Sequence, residues 1–351
     1  MEIEMKKTSF VLVASLFAAG TATAQSSVTL YGIADASVRY VKNGSAGSQN
    51  QLASGGGATS RFGLRGVEDL GGGLSAGFNL ESGIQLDTGT ADPKFFGRRS
   101  TVSLLGGFGE IRLGRDYLPS FWNTAPEPFG LVGVGSIGSA ITYGTGSNLG
   151  SPATTVLRAD NLVSYFLPTG LGGLYGQASV AAAEGVDGNG YMGGRLGYSA
   201  GPVNVGLGYG KTDTGSITPD FTQFNVMMEY GLGFAKLYAL YDVREWEPRK
   251  EKVFTLGATV PVGSGALKFS YAKADRSGGL VGSQFGDADD ATLVAVGYSH
   301  NLSKRSTLYT TLSRISNKGS RRTTVSSSGP TTGMLGGETS SGFEAGITHR
   351  F

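Results

Sequence analysis

His300 and His349 are the only imidazoles in the chain, and there is no cysteine. Neither histidine is spaced with a serine and an acid as a nucleophile, base and orienting group would be, and such a set needs its members within hydrogen-bond reach. Absent cysteine excludes a disulfide scaffold and thiolate-bound zinc. Glycine pairs abound, yet no glycine-rich segment opens a helix as a phosphate loop does. Asp287, Asp289 and Asp290 offer hard oxygen ligands of the sort calcium takes, or else simply solvate a loop. Pairs of acids occur without the concave pocket that glycoside hydrolysis requires. The expectation is a chain that is no enzyme and needs no cofactor. A net charge of +2 over 351 residues also lacks the basic stripe of a nucleic-acid binder.

What remains is a large set of charged side chains in a regular pattern. From Val28 to Tyr40, even positions are apolar or small, while odd positions carry Thr29, Asp35, Ser37 and Arg39. Successive strand side chains point to opposite faces, so one face is greasy and the other wet. The pattern recurs at Ala76–Leu86, Met192–Ser199, Val203–Tyr209, Phe224–Tyr230, Ala235–Arg244 and Leu267–Tyr271. By this parity the wet face collects Arg39, Arg61, Arg65, Arg99, Arg112, Arg158, Arg195, Lys236, Lys268 and Arg350. Against them stand Asp35, Glu81, Glu110, Asp160, Glu229, Asp242 and Glu344. Arg98 and Arg99 are adjacent and should face opposite ways, with Arg99 inward unless a bulge swaps them. These charges either pair with one another or leave a net positive field in a wet interior, where low-dielectric walls favour anions.

The elements that must position them are strands. Residues 1–24 read as a cleaved export signal: Lys6 and Lys7, an apolar run from Phe10 to Ala19, then Ala22-Thr23-Ala24. That run is shorter than the ~20 residues a spanning helix needs. Residues 25–351 alternate to the end, in strands of a length suited to a tilted membrane crossing. Seven short connections lie near Asp69–Gly73, Gly106–Gly109, Pro168–Gly173, Ser199–Pro202, Gly231–Gly233, Pro261–Gly265 and Leu302–Ser306. Eight longer ones lie near Lys42–Ala58, Asp87–Phe95, Tyr117–Leu157, Glu184–Gly190, Thr212–Asp220, Glu245–Glu251, Asp275–Asp290 and Ser316–Ser341. The pattern predicts an all-β fold: a 16-stranded antiparallel transmembrane β-barrel with short periplasmic turns and long extracellular loops. Closure satisfies the edge hydrogen bonds that lipid cannot. The third loop, Tyr117–Leu157, carries Glu127 as its only charge beside Phe121, Trp122, Phe129, Leu131, Val132, Val134 and Ile137. A loop so apolar should pack against something. Folding into the barrel would narrow an otherwise broad channel; a neighbouring subunit or lipid headgroups are the alternatives.

Several motifs carry a resemblance. Ser60–Leu74 (SRFGLRGVEDLGGGL), Gly109–Arg115 (GEIRLGR), Arg158–Tyr165 (RADNLVSY), Leu302–Tyr309 (LSKRSTLY) and the terminal His349-Arg350-Phe351 resemble the general porins of Gram-negative bacteria, and above all the β-proteobacterial, anion-selective type. The resemblance implies an outer-membrane homotrimer whose third loop folds inward to form a pore constriction. Carried over by matching positions, the wall arginines would be Arg61, Arg98 or Arg99, and Arg158, with Glu81 beside them. Pro126-Glu127-Pro128-Phe129-Gly130 resembles the family's loop motif and would bring Glu127 across from them, the one acid where relatives place several. The last strand, ending at Phe351, resembles the signal read by the barrel-assembly machinery, and outer-membrane lipid and lipopolysaccharide would surround the barrel. The expected function is passive diffusion of small hydrophilic solutes and ions, anions preferred. A channel specific for organic acids or phosphate is the alternative, and a plugged adhesin or anchor a third reading.

Overall fold

Period-two sequences can form strands anywhere; which of them pair decides whether an edge is left open. In the computed structural model, which describes residues 27–138, 141, 146–215 and 219–351, no barrel edge is left open. The strands are β1 (Ser27–Asn43), β2 (Ser48–Ser54), β3 (Arg61–Gly71), β4 (Leu74–Gln85), β5 (Thr90–Ala91), β6 (Arg99–Gly106), β7 (Gly109–Tyr117), β8 (Arg158–Phe166), β9 (Leu174–Ala181) and β10 (Tyr191–Ala200). They continue as β11 (Val203–Thr212), β12 (Phe221–Gly231), β13 (Lys236–Trp246), β14 (Arg249–Val262), β15 (Gly265–Ser277), β16 (Ala291–Asn301), β17 (Ser306–Asn317) and β18 (Thr339–Arg350). Apart from the short strands β2 and β5, each pairs antiparallel with the next, and β18 returns to β1 from Ile33↔Arg350 to Asn43↔Ser340. The result is a closed 16-stranded antiparallel barrel. The expected export signal lies outside the described residues.

Outward positions carry Leu30, Val38, Val102, Leu196, Leu207, Leu256, Val294 and Leu312, all exposed. Inward positions carry Asp35, Arg39, Gln223, Asn225, Asp242, Arg244 and Glu344, all buried. Hydrocarbon outside and polar groups inside is the arrangement a membrane barrel with a wet lumen requires.

Two connections differ from expectation. Glu245–Glu251 is not a long loop: β13 and β14 pair as far as Trp246↔Arg249, leaving Glu247 and Pro248 as the turn. Lys42–Ala58 is mostly sheet, because β2 folds back on β1 from Lys42↔Ser48 to Ala36↔Ser54. Residues 55–60 then leave the wall before β3 resumes beside β1 at Ile33↔Arg61. The Asp35 carboxylate holds this excursion, accepting from the backbone N–H groups of Gly56 (2.7 Å), Gly57 (3.1 Å) and Ala58 (3.0 Å).

The third loop, between β7 and β8, lies inside the barrel. A helical turn near its start, α1 (Phe121–Thr124), rests on β11 and β12, where Asn123 donates to Asn225 (3.0 Å) and Asn225 donates to the Ser120 carbonyl (3.0 Å). Farther on, Pro128 covers Gly257 and Phe129 covers Gly297; a Cβ at either glycine would sit 2.8 Å or less from the loop side chain. Val134, Ile137 and Ile141 complete an apolar cluster with the inward Val253, Ala272, Ala274, Leu293 and Ile315. The loop's apolar residues are therefore sealed against a patch of wall that is itself apolar. That accounts for their presence in a lumen otherwise lined by polar groups.

Candidate functional site

Opposite the wall that loop 3 covers, β3, β4, β6 and β8 present a cluster of guanidinium groups. Arg61, Glu81, Arg98, Arg99 and Arg158 line a cavity of about 780 Å³, closed on its other side by Tyr117, Phe121, Trp122, Ala125, Gly130 and Leu131. Arg98 Nε donates to Glu81 Oε1 (2.7 Å), and Arg61 Nε lies 3.5 Å from Glu81 Oε2. Tyr31 OH also donates to Glu81 (3.1 Å). Arg99 Nε donates to Asp116 Oδ1 (2.8 Å), whose other oxygen takes Arg112; Arg112 in turn grips Glu110 through two bonds of 2.8 and 3.0 Å.

Arg158 has no carboxylate among the described residues. Its guanidinium lies over the Tyr117 ring at 4.1 Å and donates to a Tyr117 hydroxyl, which Arg98 also reaches (2.9 Å). Tyr117 is held by stacking on Phe121, with ring centroids 4.1 Å apart and planes 13° from parallel. Guanidinium groups stay protonated at any accessible pH, so this positive charge is permanent.

Three positions correct the sequence reading. Arg98 and Arg99 do not face opposite ways, because β6 begins at Arg99 and alternation does not bind Arg98; both enter the cavity. Asp160 does not join Arg158. Asp160 and Asn161 together stand opposite the single Arg115, a bulge that breaks the parity, and Asn161 takes a left-handed φ of 56°. The Asp160 carboxylate instead pairs with Arg115 (2.7 Å) and Lys94. Glu127 does not reach across to the arginines. It turns into its own loop, accepting from Leu131 N (2.7 Å), Ile137 N (2.9 Å), Gly138 N (3.4 Å) and the Ser136 hydroxyl. Burial pushes its carboxyl above the usual range, only partly offset by those donors.

Tyr117, which lines the cavity, and Asp116, which holds Arg99, are the residues that sequence reasoning missed. Asp116 was readable, since it continues the inward parity of Glu110 and Arg112. Tyr117 was not, because its role comes from where the loop turns.

Across the whole lumen, Arg39, Arg61, Arg99, Arg112 and Lys236 each hold a carboxylate. Arg65, Arg158, Arg195, Lys268 and Arg350 have none among the described residues, whereas Asp35, Glu81, Glu110, Glu229, Asp242 and Glu344 are each paired or capped by donors. The unmatched charge is positive. Of the other candidates, Asp289 accepts from Gly286 N and Ser320 N while Asp287 accepts from Gly278 N, so these carboxylates fasten loops and do not converge. Strand register brings Ser306 Oγ within 2.9 Å of His349 Nδ1 and Ser264 Oγ within 3.2 Å of His300 Nδ1, both at exposed turns.

A closed barrel with an apolar exterior, a polar lumen and an inward-folded loop defines a membrane-spanning channel protein. The model of the Gram-negative porin family matches residues 8–320. The chain is 38% identical to outer membrane porin protein 32 of Delftia acidovorans, over 99% of this chain and 100% of that one. An outer membrane porin of Bordetella pertussis is 30% identical over 87% of this chain and 93% of its own. Among solved structures, an anion-selective porin from Comamonas acidovorans superposes with a TM-score of 0.81 at 36% identity, covering 93% of this chain and all of that one. The chain belongs to the Gram-negative porin family, and it is a porin of the outer membrane.

Proposed function

We propose that this porin lets small hydrophilic solutes and ions diffuse across the outer membrane with a preference for anions, and that Arg61, Arg98, Arg99 and Arg158 with Glu81 form the narrow part of its path. One observation carries the reading: among the described residues, every wet-face carboxylate has a cation or donors of its own, while five lumen cations have no carboxylate. Positive charge in a low-dielectric channel raises the local concentration of anions and repels cations. The likeness to a porin titled anion-selective supports the same reading. Glu127 plays no part in selectivity, because its carboxylate is engaged by its own loop. The assembly is a homotrimer in lipid and lipopolysaccharide, inserted by the barrel-assembly machinery acting on the strand that ends at Phe351, and the chain catalyses no reaction.

The test is the reversal potential of the purified porin in a planar bilayer under a potassium chloride gradient. Its sign should report chloride as the more permeant ion. A potential of the opposite sign rejects the preference.

A further inference from the structure

Beneath loop 3, the lumen wall formed by β15 to β18 carries a second recess, of about 220 Å³. Its charged members are Lys268 of β15 and Arg350 of β18. Ser299, Thr307, Tyr309, Thr311 and Thr348 surround them with hydroxyl groups, and Phe129 of the loop roofs it. The recess exists because β16 contributes Gly297 between Lys268 and Thr311 in register, leaving a gap that only the edge of Phe129 enters. Lys268 lies 5.8 Å from the Phe129 ring centroid.

The two cations line the same recess, and neither has a carboxylate within ion-pair distance among the described residues. The nearby acids are already engaged. Asp35 is occupied by three backbone N–H groups and by the hydroxyls of Tyr309 (2.7 Å) and Thr348. Glu127, which acts on Lys268 electrostatically, is held by its own loop backbone. Two like charges facing one recess with no anion of the protein between them are stabilised by an anion from outside. Of the surrounding hydroxyls, that of Thr311 can donate to it, whereas those of Tyr309 and Thr348 already donate to Asp35 and that of Thr307 to Asn301.

We propose that this recess is a second anion-binding station, separate from the arginine cavity, that takes a compact dianion: phosphate or a short dicarboxylate. Thr307 and Asn301 of its lining border the short turn between β16 and β17, and Arg350 is next to the C terminus. A dianion entering from the periplasmic side therefore reaches the recess without passing loop 3. The station stands on its own lining, whether or not the arginine cavity selects anions.

The experiment measures chloride current through the intact porin in a planar bilayer at low salt, titrated separately with inorganic phosphate, succinate and acetate. Phosphate, succinate or both should reduce the current along a saturating curve, and acetate should not; the arm that saturates identifies the ligand. Lys268→Gln and Arg350→Gln should each weaken that block about tenfold, as expected for loss of a charge-assisted hydrogen bond. Lys268→Arg should retain the block, and so should Arg195→Gln, which removes an unmatched lumen cation elsewhere. Linear responses to both dianions would overturn the proposal. So would a block that Lys268→Gln leaves unchanged, or one that Arg195→Gln weakens equally, since the latter reports only the general field. A block that depends on Lys268 in a porin whose reversal potential shows no anion preference would keep the station and reject the selectivity reading.

Discussion

Among the described residues, Arg158 is the arginine of the cavity whose charge has no carboxylate partner, while Glu127 is an acid whose oxygens are all taken by its own loop. The two should therefore differ sharply in their effect on ion selectivity. A unit charge seen across about 4 Å of water is worth about 1 kcal/mol, or roughly fivefold in local ion concentration. Arg158→Gln should lower the chloride-to-potassium permeability ratio by a few-fold at low salt. Glu127→Gln should leave the ratio close to that of the wild type. Reversal potentials of both variants decide this, and a large shift from Glu127→Gln would place its carboxylate in the ion path after all. The Arg158 effect should fade as salt rises, since the Debye length shrinks from about 10 Å at 0.1 M to about 3 Å at 1 M. Arg98 behaves differently from Arg158 because it shares Glu81 with Arg61. Both substitutions remove one unit of charge, so their shifts should be similar in size, but only Arg98→Gln leaves Glu81 with one cationic partner in place of two.

At the scale of elements, the third loop comes closest to the wall where the wall carries glycine, at Gly257 and Gly297. A Cβ on Gly257 would meet Pro128 Cδ and Cγ at 2.8 Å, and the face of β14 concerned is turned from lipid. Gly257→Val should push the loop toward the lumen axis, lowering single-channel conductance while the barrel still closes; overpacking of this sort costs about 1–3 kcal/mol. Conductance equal to wild type would show that the loop yields elsewhere. This contact also marks how far the sequence could be read. Alternation of Val28–Tyr40 and its repeats suffices for strands, parity and turns, because those are local properties of the backbone. The apolar residues of loop 3 announced that it packs on something. Which wall it covers was not legible, since the evidence is the absence of side chains at Gly257 and Gly297, and glycine on a wet face reads equally as open channel. The bulge at Asp160 and Asn161 and the late start of β6 after Arg98 were hidden for another reason. Each is one residue of register, and one residue reverses every inward and outward assignment beyond it.

The whole molecule must satisfy two solvents at once, and its outer end does so with an ionic knot. Arg244 pairs with Asp242 (3.0 Å) and Glu251 (2.8 Å), and Glu251 also takes Arg276 (3.0 Å) and Arg321 (2.8 Å). Arg244 further donates to the Ser147 carbonyl of loop 3, Arg276 to the Gln284 carbonyl, and Arg321 lies in the loop before β18. One cluster thus ties three loops to β13, β14 and β15, and it can be buried because each charge has an opposite partner. Burial draws Arg321 down to about 10, the attraction of Glu251 only partly offsetting it. Nothing comparable supports a charge on the outer surface, where the penalty depends on depth alone. Leu256 lies near the middle of β14, opposite Ala239 and Tyr271, and points to lipid. Leu237 also points outward but is the second residue of β13, next to the short turn after β12. Leu256→Arg should destabilise the barrel by about 2–4 kcal/mol and Leu237→Arg by about 0–1 kcal/mol, because an arginine near the interface can reach headgroups and water. Urea unfolding in lipid vesicles measures both. Equal losses at the two positions would mean that the hydrocarbon band does not cross the barrel where the alternation and the turns place it, and the inside-outside assignment of every charge in the lumen would have to be redrawn.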